Sequence, residues 1–285
     1  MTRRLGAYVL PGDTVWLERT LPQWYPLVER IVVPVPADHR SWTGRPLPVA
    51  RALEVIRRLD TRGIVTEIHG RWTDPSDPRA AEVAQRQAAV DALGLEVEWI
   101  LCVDNDELMP RPERLSAVLD EADRRGVTAV EWPMRVLYRA TRRSVLEVVA
   151  RDHRPIYEYP GPIAVRPGSR LTDARRSDGP FLRPQVAGDD RSIQVTRAEE
   201  PGESRARLLR HEDAIIHRSW ARPARDIRRK IDSSGHARDT SLRRYYWMRW
   251  WPSPLLRPLM RDFHPLTGSL WPALVRHDRS GVFAD

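Results

Sequence analysis

Short apolar blocks alternate with helix-like blocks over the first 133 residues, and this restricts the fold more than any other feature of the sequence. Ala7–Leu10 is a candidate first strand, and Pro11-Gly12-Asp13 is turn chemistry with Asp13 placed to cap a helix. Thr14–Leu21 then reads as helix ending near Pro22. Arg30–Val35 and Glu98–Val103 read as buried strands, and Ile64–Ile68 and Val127–Trp132 as further strands. Between them, Val49–Leu59, Arg79–Leu93 and Pro112–Arg125 have helical spacing, the last with proline at its start and Gly126 at its end. Such alternation predicts an α/β domain with a mostly parallel sheet, whose ligands bind at the carboxyl ends of the strands.

The chain has 285 residues, 41% of them hydrophobic, enough for one large domain or one domain with an appendage. After Pro133 the pattern loosens. Residues 151–207 are rich in Pro, Gly, Asp and Arg and give weak signals. Ala214–His217 resembles a strand end, and Pro223–Ser233 reads as a helix with an Arg-rich face. We therefore expect a catalytic domain over 1–222 and a smaller helical, aromatic region over 223–285 that covers the acceptor side.

One of the predicted strands runs straight into Asp104-Asn105-Asp106-Glu107. Carboxylates gathered at a sheet edge are unfavourable without a counter-charge. A hard divalent cation such as Mn²⁺ or Mg²⁺ would supply one, often with substrate phosphates completing its shell. Residues two apart at a strand exit share a face, so Asp104 and Asp106 can turn the same way, one toward a donor nucleotide and one toward the metal.

This segment resembles the Asp-x-Asp motif of family-2-type glycosyltransferases with the GT-A fold. The helix carrying Gln85-Arg86-Gln87-Ala88 is similar to the one that precedes that motif, and Tyr8-Val9-Leu10-Pro11 followed by Glu18 is similar to the opening of the family's nucleotide pocket. The resemblance spans roughly residues 5–135, and more loosely extends to about 240. It implies a GT-A-like (Rossmann-like) sheet flanked by helices, a nucleotide-diphosphate sugar donor, and donor contacts from Pro11, Glu18, Arg86, Asp104 and Asn105. Where the family has an Asp-rich loop after the second strand that grips the base and ribose, this chain has the single Asp38, which the resemblance makes the candidate for that role.

In the second half, His217 follows an apolar segment, and a neutral imidazole is a good ligand for Mn²⁺. The resemblance gives it the place of the late histidine that completes the shell begun by Asp106. Beyond it, Arg225, Arg228, Arg229 and Lys230 crowd one helix, resembling the family's late basic helix, and could neutralise a departing diphosphate. Lys230 stands out because it is the one lysine among 47 basic residues. His236 could touch phosphate or acceptor, or cap a turn. An inverting transfer needs a carboxylate base; Glu158, Asp173, Asp189 and Asp190 all lie where an acceptor would dock, with Glu158 and Asp190 the candidates carried forward.

Tyr246-Trp247-Met248-Arg249-Trp250-Trp251 interleaves rings with arginine. Such a segment either packs across the domain or contacts an acceptor or a membrane surface bearing one. The formal net charge of +8 invites a nucleic-acid reading, but it comes almost wholly from arginine spread along the whole chain, and no nucleic-acid motif is present. A non-enzymatic basic binding protein and another metal-dependent phosphate enzyme are the competing readings. A dehalogenase-type phosphatase places its acids after the first strand rather than after about 100 residues, which argues against that class. The single cysteine, Cys102, precludes an intrachain disulfide, and no apolar stretch is long enough for a signal peptide or membrane span. A cytoplasmic location is the expectation.

Overall fold

Apolar runs bury both faces of a strand, and the first half of the chain does this at Leu5–Tyr8, Arg30–Pro36 and Trp99–Leu101. A computed structural model describes residues 3–233 and 241–283, except for the side chains of Ser241 and Val282. β1 (Leu5–Tyr8), β2 (Arg30–Pro36), β3 (Val65–Gly70) and β4 (Trp99–Leu101) lie side by side in the order β4-β1-β2-β3, all parallel. The period of two along β2 is visible in its packing. Ile31, Val33 and Val35 join a core with α1 (Leu17–Trp24) and α2 (Val49–Leu59), whereas Val32 joins a core on the opposite face with α3 (Pro78–Leu93). β3, at the edge, alternates between exposed and half-buried residues, so its sequence is the most polar of the four.

Beyond β4 the chain makes β5 (Glu107–Leu108), α4 (Arg114–Arg125), β6 (Ala129–Val130), β7 (Met134–Ala140) and β8 (Ser144–Val149). Then come β9 (Ala164–Val165), the ribbon β10 (Leu171–Asp173) and β11 (Arg176–Ser177), β12 (Phe181–Val186), the short α5 (Ile193–Thr196) and β13 (Glu203–Leu209). β14 (Ile215–His217), α6 (Ala224–Ser233), α7 (Ser241–Tyr245) and β15 (Ala273–Asp278) complete the elements used below. The main sheet has eight strands in the order β13-β12-β6-β9-β4-β1-β2-β3, and β9 alone runs antiparallel to its neighbours. A second sheet, β15-β8-β7-β14-β5, stands beside it. The fold is thus mixed α/β with a large, mostly parallel sheet flanked by helices.

Several expectations shift. The first strand begins two residues earlier than its apolar run suggests. α1 continues through Pro22, because the carbonyl that proline leaves without a donor belongs to Glu18, which faces solvent. The region 151–207, weak in sequence, supplies β9, β12 and β13 to the main sheet. Its strand pattern is broken by Arg183, which is wholly buried yet ion-paired with Glu131 and Glu203. A charge compensated in the fold looks like a solvent-facing residue in sequence. Residues 223–285 contribute β15 to the second sheet and much of a core formed with Val136, Tyr138, Leu146 and Val148.

Candidate active site

β4 ends at Leu101, and the chain leaves the sheet through buried Cys102 and Val103 into a tight turn, with the Glu107 N–H donating to the Asp104 carbonyl at 3.0 Å. The acidic run therefore forms the corner between the two sheets. β5 leads away antiparallel to β14, in a register that sets Glu107 opposite His217. This register, together with α6, brings residues more than a hundred positions apart onto one corner. Cys102 is structural: burial pushes its thiol up to about 11.

Asp104 accepts hydrogen bonds from Arg86 at 2.9 and 3.4 Å, and Arg86 also donates to the Tyr8 hydroxyl at 3.2 Å and to Glu82. Burial opposes ionisation of Asp104, yet Arg86 and Arg175 outweigh it and hold the carboxyl below its usual range. Gln85, one residue earlier on α3, accepts from the Trp42 indole and donates to the Pro34 carbonyl, each at 2.7 Å, which ties α3 to β2 and to the loop after it. Asn105 donates to the carbonyls of Leu10 and Asp13 at 2.9 and 2.8 Å, and its own carbonyl accepts from Thr20 at 3.0 Å. Its amide thus holds the β1–α1 loop, with buried Pro11, against the corner.

Asp106 is the hub. Its Oδ2 accepts from Arg222 at 2.6 Å and from Lys230 at 3.0 Å, while Oδ1 lies 3.9 Å from His217 Nε2. Burial pushes against the charge, but Lys230, Arg222 and His217 hold the carboxyl well below the carboxylate range. Lys230 also donates to the Ser219 hydroxyl at 2.7 Å, and Arg222 reaches across to Asp13. Glu107, fully buried, accepts a two-pronged hydrogen bond from Arg175 at 2.7 and 2.8 Å, and Arg175 donates in addition to the Cys102 carbonyl.

These pairs correct the electrostatic argument made from sequence. The cluster does not depend on a divalent cation for its counter-charge, because Arg86, Arg175, Arg222 and Lys230 already provide it. Among the described residues no group of three or more His, Cys, Asp or Glu is placed to hold a metal ion. Among the described residues, Asp106 Oδ1 and His217 Nε2 are the pair that suits one, so phosphate oxygens or water would have to fill most of a hard cation's shell. A two-donor set of this kind fits an ion that arrives with a phosphorylated substrate better than a resident one.

Glu158 is also close. It bridges to Met134 beside β14, accepts from the Trp271 indole at 2.8 Å, and is half-buried. Burial raises its pKa, opposed by the nearby His217 and the Trp271 hydrogen bond. Two expected residues lie elsewhere. Asp190 is exposed and paired with its neighbour Arg191, itself bound to Asp152. Glu18 is exposed on α1 and paired with Arg58 of α2, on the solvent side of those helices. Position in the chain puts both near the site, whereas the backbone directs their side chains outward. Asp38 accepts from Thr73 at 2.9 Å on the exposed loop after β2. Asp173 is exposed on β10, and Asp189 caps the turn at Ser192. On α6, Arg225, Arg228 and Arg229 form a solvated face, while Lys230 turns inward to Asp106. His236 lies outside the described residues.

Sequence reasoning missed Arg175 and Arg222. Nothing local marks either of them among so many arginines; only the contacts single them out.

No family model matches the chain, and no curated protein does. Among solved structures, it is similar to 4-diphosphocytidyl-2C-methyl-D-erythritol synthase from Anaerococcus prevotii DSM 20548, at 12% identity and a TM-score of 0.36 over 75% of this chain and 92% of that one. That likeness is too distant to carry residues or chemistry across. No described helix is long and apolar enough to cross a membrane.

Proposed function

We propose that this chain is a glycosyltransferase that moves a sugar from a nucleotide-diphosphate donor to an acceptor hydroxyl, with Mn²⁺ or Mg²⁺ bound alongside the donor. The observation that carries the reading is the convergence of Asp106, His217 and Lys230 at the exit of β4, beside the β1–α1 loop and Arg86. In open parallel sheets that exit is where nucleotides bind. Arg86 fixes the Asp104 carboxylate at its edge, where Asp104, partly exposed, can accept from donor hydroxyls. Asn105 and Pro11 shape the floor, and Asp38 lies on the adjacent loop as the ribose-side candidate.

A divalent cation held by Asp106 and His217 would supply charge to the diphosphate. Lys230, part-exposed at the rim, and Arg222 beneath it add fixed positive charge where negative charge grows as the bond to the sugar breaks. Glu158 is the base this geometry supports in an inverting transfer. It takes the proton from the acceptor hydroxyl, the oxygen bonds to the anomeric carbon, and the nucleoside diphosphate leaves with the electron pair.

The test is a screen of nucleotide sugars for release of nucleoside diphosphate, with and without Mn²⁺, using the wild type and Lys230→Ala. Metal-dependent release that is lost in the variant supports the reading. Release of pyrophosphate from nucleoside triphosphates, with no turnover of nucleotide sugars, would overturn it in favour of a nucleotidyl transfer at the same corner.

A further inference from the structure

The helical stretch that begins at α7 carries rings on both of its faces. Its inner face completes the second core: Tyr245, Tyr246 and Trp250 are buried there, and the Trp250 indole donates to the carbonyls of Tyr138 and Trp220 at 3.1 Å each. The outer face is not needed for that packing. Trp247, Met248 and Trp251 are 59, 65 and 48% exposed, and Leu255 and Leu259 just beyond are 85 and 86% exposed. Among the described residues only Leu95 and Ile193, of all the exposed large apolar side chains, lie outside positions 247–266. Exposed apolar surface concentrated in this way marks a contact with something else.

The charge around the patch says what. Between Ser241 and Thr267 there are five arginines, of which Arg243 pairs with Asp232, and one carboxylate, Asp262, which already has Arg151 as partner. Arg244, Arg249 and Arg261 line a groove of about 800 Å³ together with Met248, Leu256 and Leu259. Behind it, the Arg139 guanidinium stacks 3.4 Å from the centre of the Trp250 ring, with Nε and Nη1 buried and lacking hydrogen-bond partners. The face is therefore apolar and carries an excess of positive charge.

We propose that this face docks on an anionic lipid surface, with Trp247, Met248, Leu255 and Leu259 entering the headgroup–acyl boundary and the arginines meeting lipid phosphates. Indole rings and aliphatic side chains rimmed by arginine are the composition of an interfacial anchor. A single-stranded nucleic acid would call for stacking rings and phosphate contacts, whereas Leu255 and Leu259 add bare aliphatic surface that suits an acyl boundary better. A second copy of the chain is disfavoured because a twofold contact would set this basic patch against itself.

The experiment is co-sedimentation of the full chain with mixed phosphatidylcholine–phosphatidylglycerol vesicles and with pure phosphatidylcholine vesicles, alongside sedimentation equilibrium without lipid. Each arginine near an anionic surface is worth about fivefold, so binding to the mixed vesicles should exceed that to the neutral ones by at least about tenfold and fall with salt. The pair Leu255→Asp/Leu259→Asp should lower it by about tenfold or more while leaving the thermal midpoint unchanged, since both side chains are exposed. Arg244→Glu, also on the surface, should reduce binding to the mixed vesicles alone. No binding to the mixed vesicles, binding indifferent to these variants, or a dimer in solution that the leucine variants dissociate would each overturn the proposal. Nucleotide-sugar turnover is measured separately, so either reading can fail without the other.

Discussion

Lys230 Nζ lies 3.0 Å from Asp106 Oδ2, joining residues 124 positions apart. The one lysine of the chain thus meets the one acid of the cluster whose other oxygen faces a histidine. Because Lys230 is part-exposed and Asp106 keeps Arg222 as a partner, Lys230→Ala should leave the thermal midpoint within a few degrees of wild type. On the proposed function, it should lower kcat for donor cleavage by about a hundredfold or more, as loss of a preorganised charge at a leaving group does. Single-turnover assays beside a melting curve separate the two effects.

Asp106 is expected to behave differently, because it holds two cations in place in addition to the metal role it has on the proposed function. Removing it leaves Lys230 with Ser219 and Arg222 with Asp13, in a largely buried setting. Asp106→Ala should therefore cost about 3 kcal/mol in stability, in addition to abolishing turnover. The sign of its pH dependence follows from a folded-state pKa held well below the ordinary value of 3.8. Its stabilisation is fully present above the unfolded pKa and is lost as pH falls through the folded one. The stability gap between wild type and Asp106→Asn, measured by urea unfolding, should accordingly be constant near neutral pH and close in strongly acidic solution. A gap that stays open there would falsify the assignment of Asp106 as an ion-pair hub.

Glu158 and Asp190, the two carboxylates advanced as bases, separate cleanly by environment. Glu158 sits by His217 with its pKa raised by burial; Asp190 is exposed and paired with Arg191. A base must be ionised, so turnover should decline as pH falls through a value above the ordinary carboxylate range. Glu158→Gln should remove transfer by about 10² to 10⁴-fold and abolish that acid limb, leaving donor binding in place. Asp190→Asn should change neither rate nor profile. The measurement is kcat against pH for the three proteins.

Arg183 offers a test of the fold apart from any function. It is fully buried between Glu131 and Glu203, so Arg183→Ala leaves the buried Glu131 carboxylate without its partner, while Glu203 keeps Arg205. The expected loss is about 3–5 kcal/mol by chemical denaturation. Restoring charge balance with Glu131→Gln in the same chain should recover part of it.

The parallel half of the fold is legible because its signals are local. The β-branched run at Ile31–Val35, the uninterrupted helix former run at Arg79–Leu93 and the glycine after Arg125 each specify their own element. Gly126 sits in the left-handed region with φ of 65°, as a helix-ending glycine should. β12 and β13 are not legible, since Arg183, Gln185, Glu203 and Arg205 interrupt their apolar period, and pairing across the sheet buries those charges in one another.

At the site, local sequence specifies the acids and their exit from a buried strand, along with the helix that carries Arg86. It also marked His217 and Lys230 as distinctive. Only the tertiary structure decided that Asp106, His217 and Lys230 meet, because their meeting depends on β5 pairing with β14 and on α6 folding back over the corner. It alone revealed that Arg175 and Arg222 neutralise the cluster, and that Asp190 and Glu18 face away from it. The reason is physical: secondary structure follows from the side chains within a few residues, whereas the charge that balances a buried carboxylate can come from anywhere along the chain that the packing brings within about 3 Å.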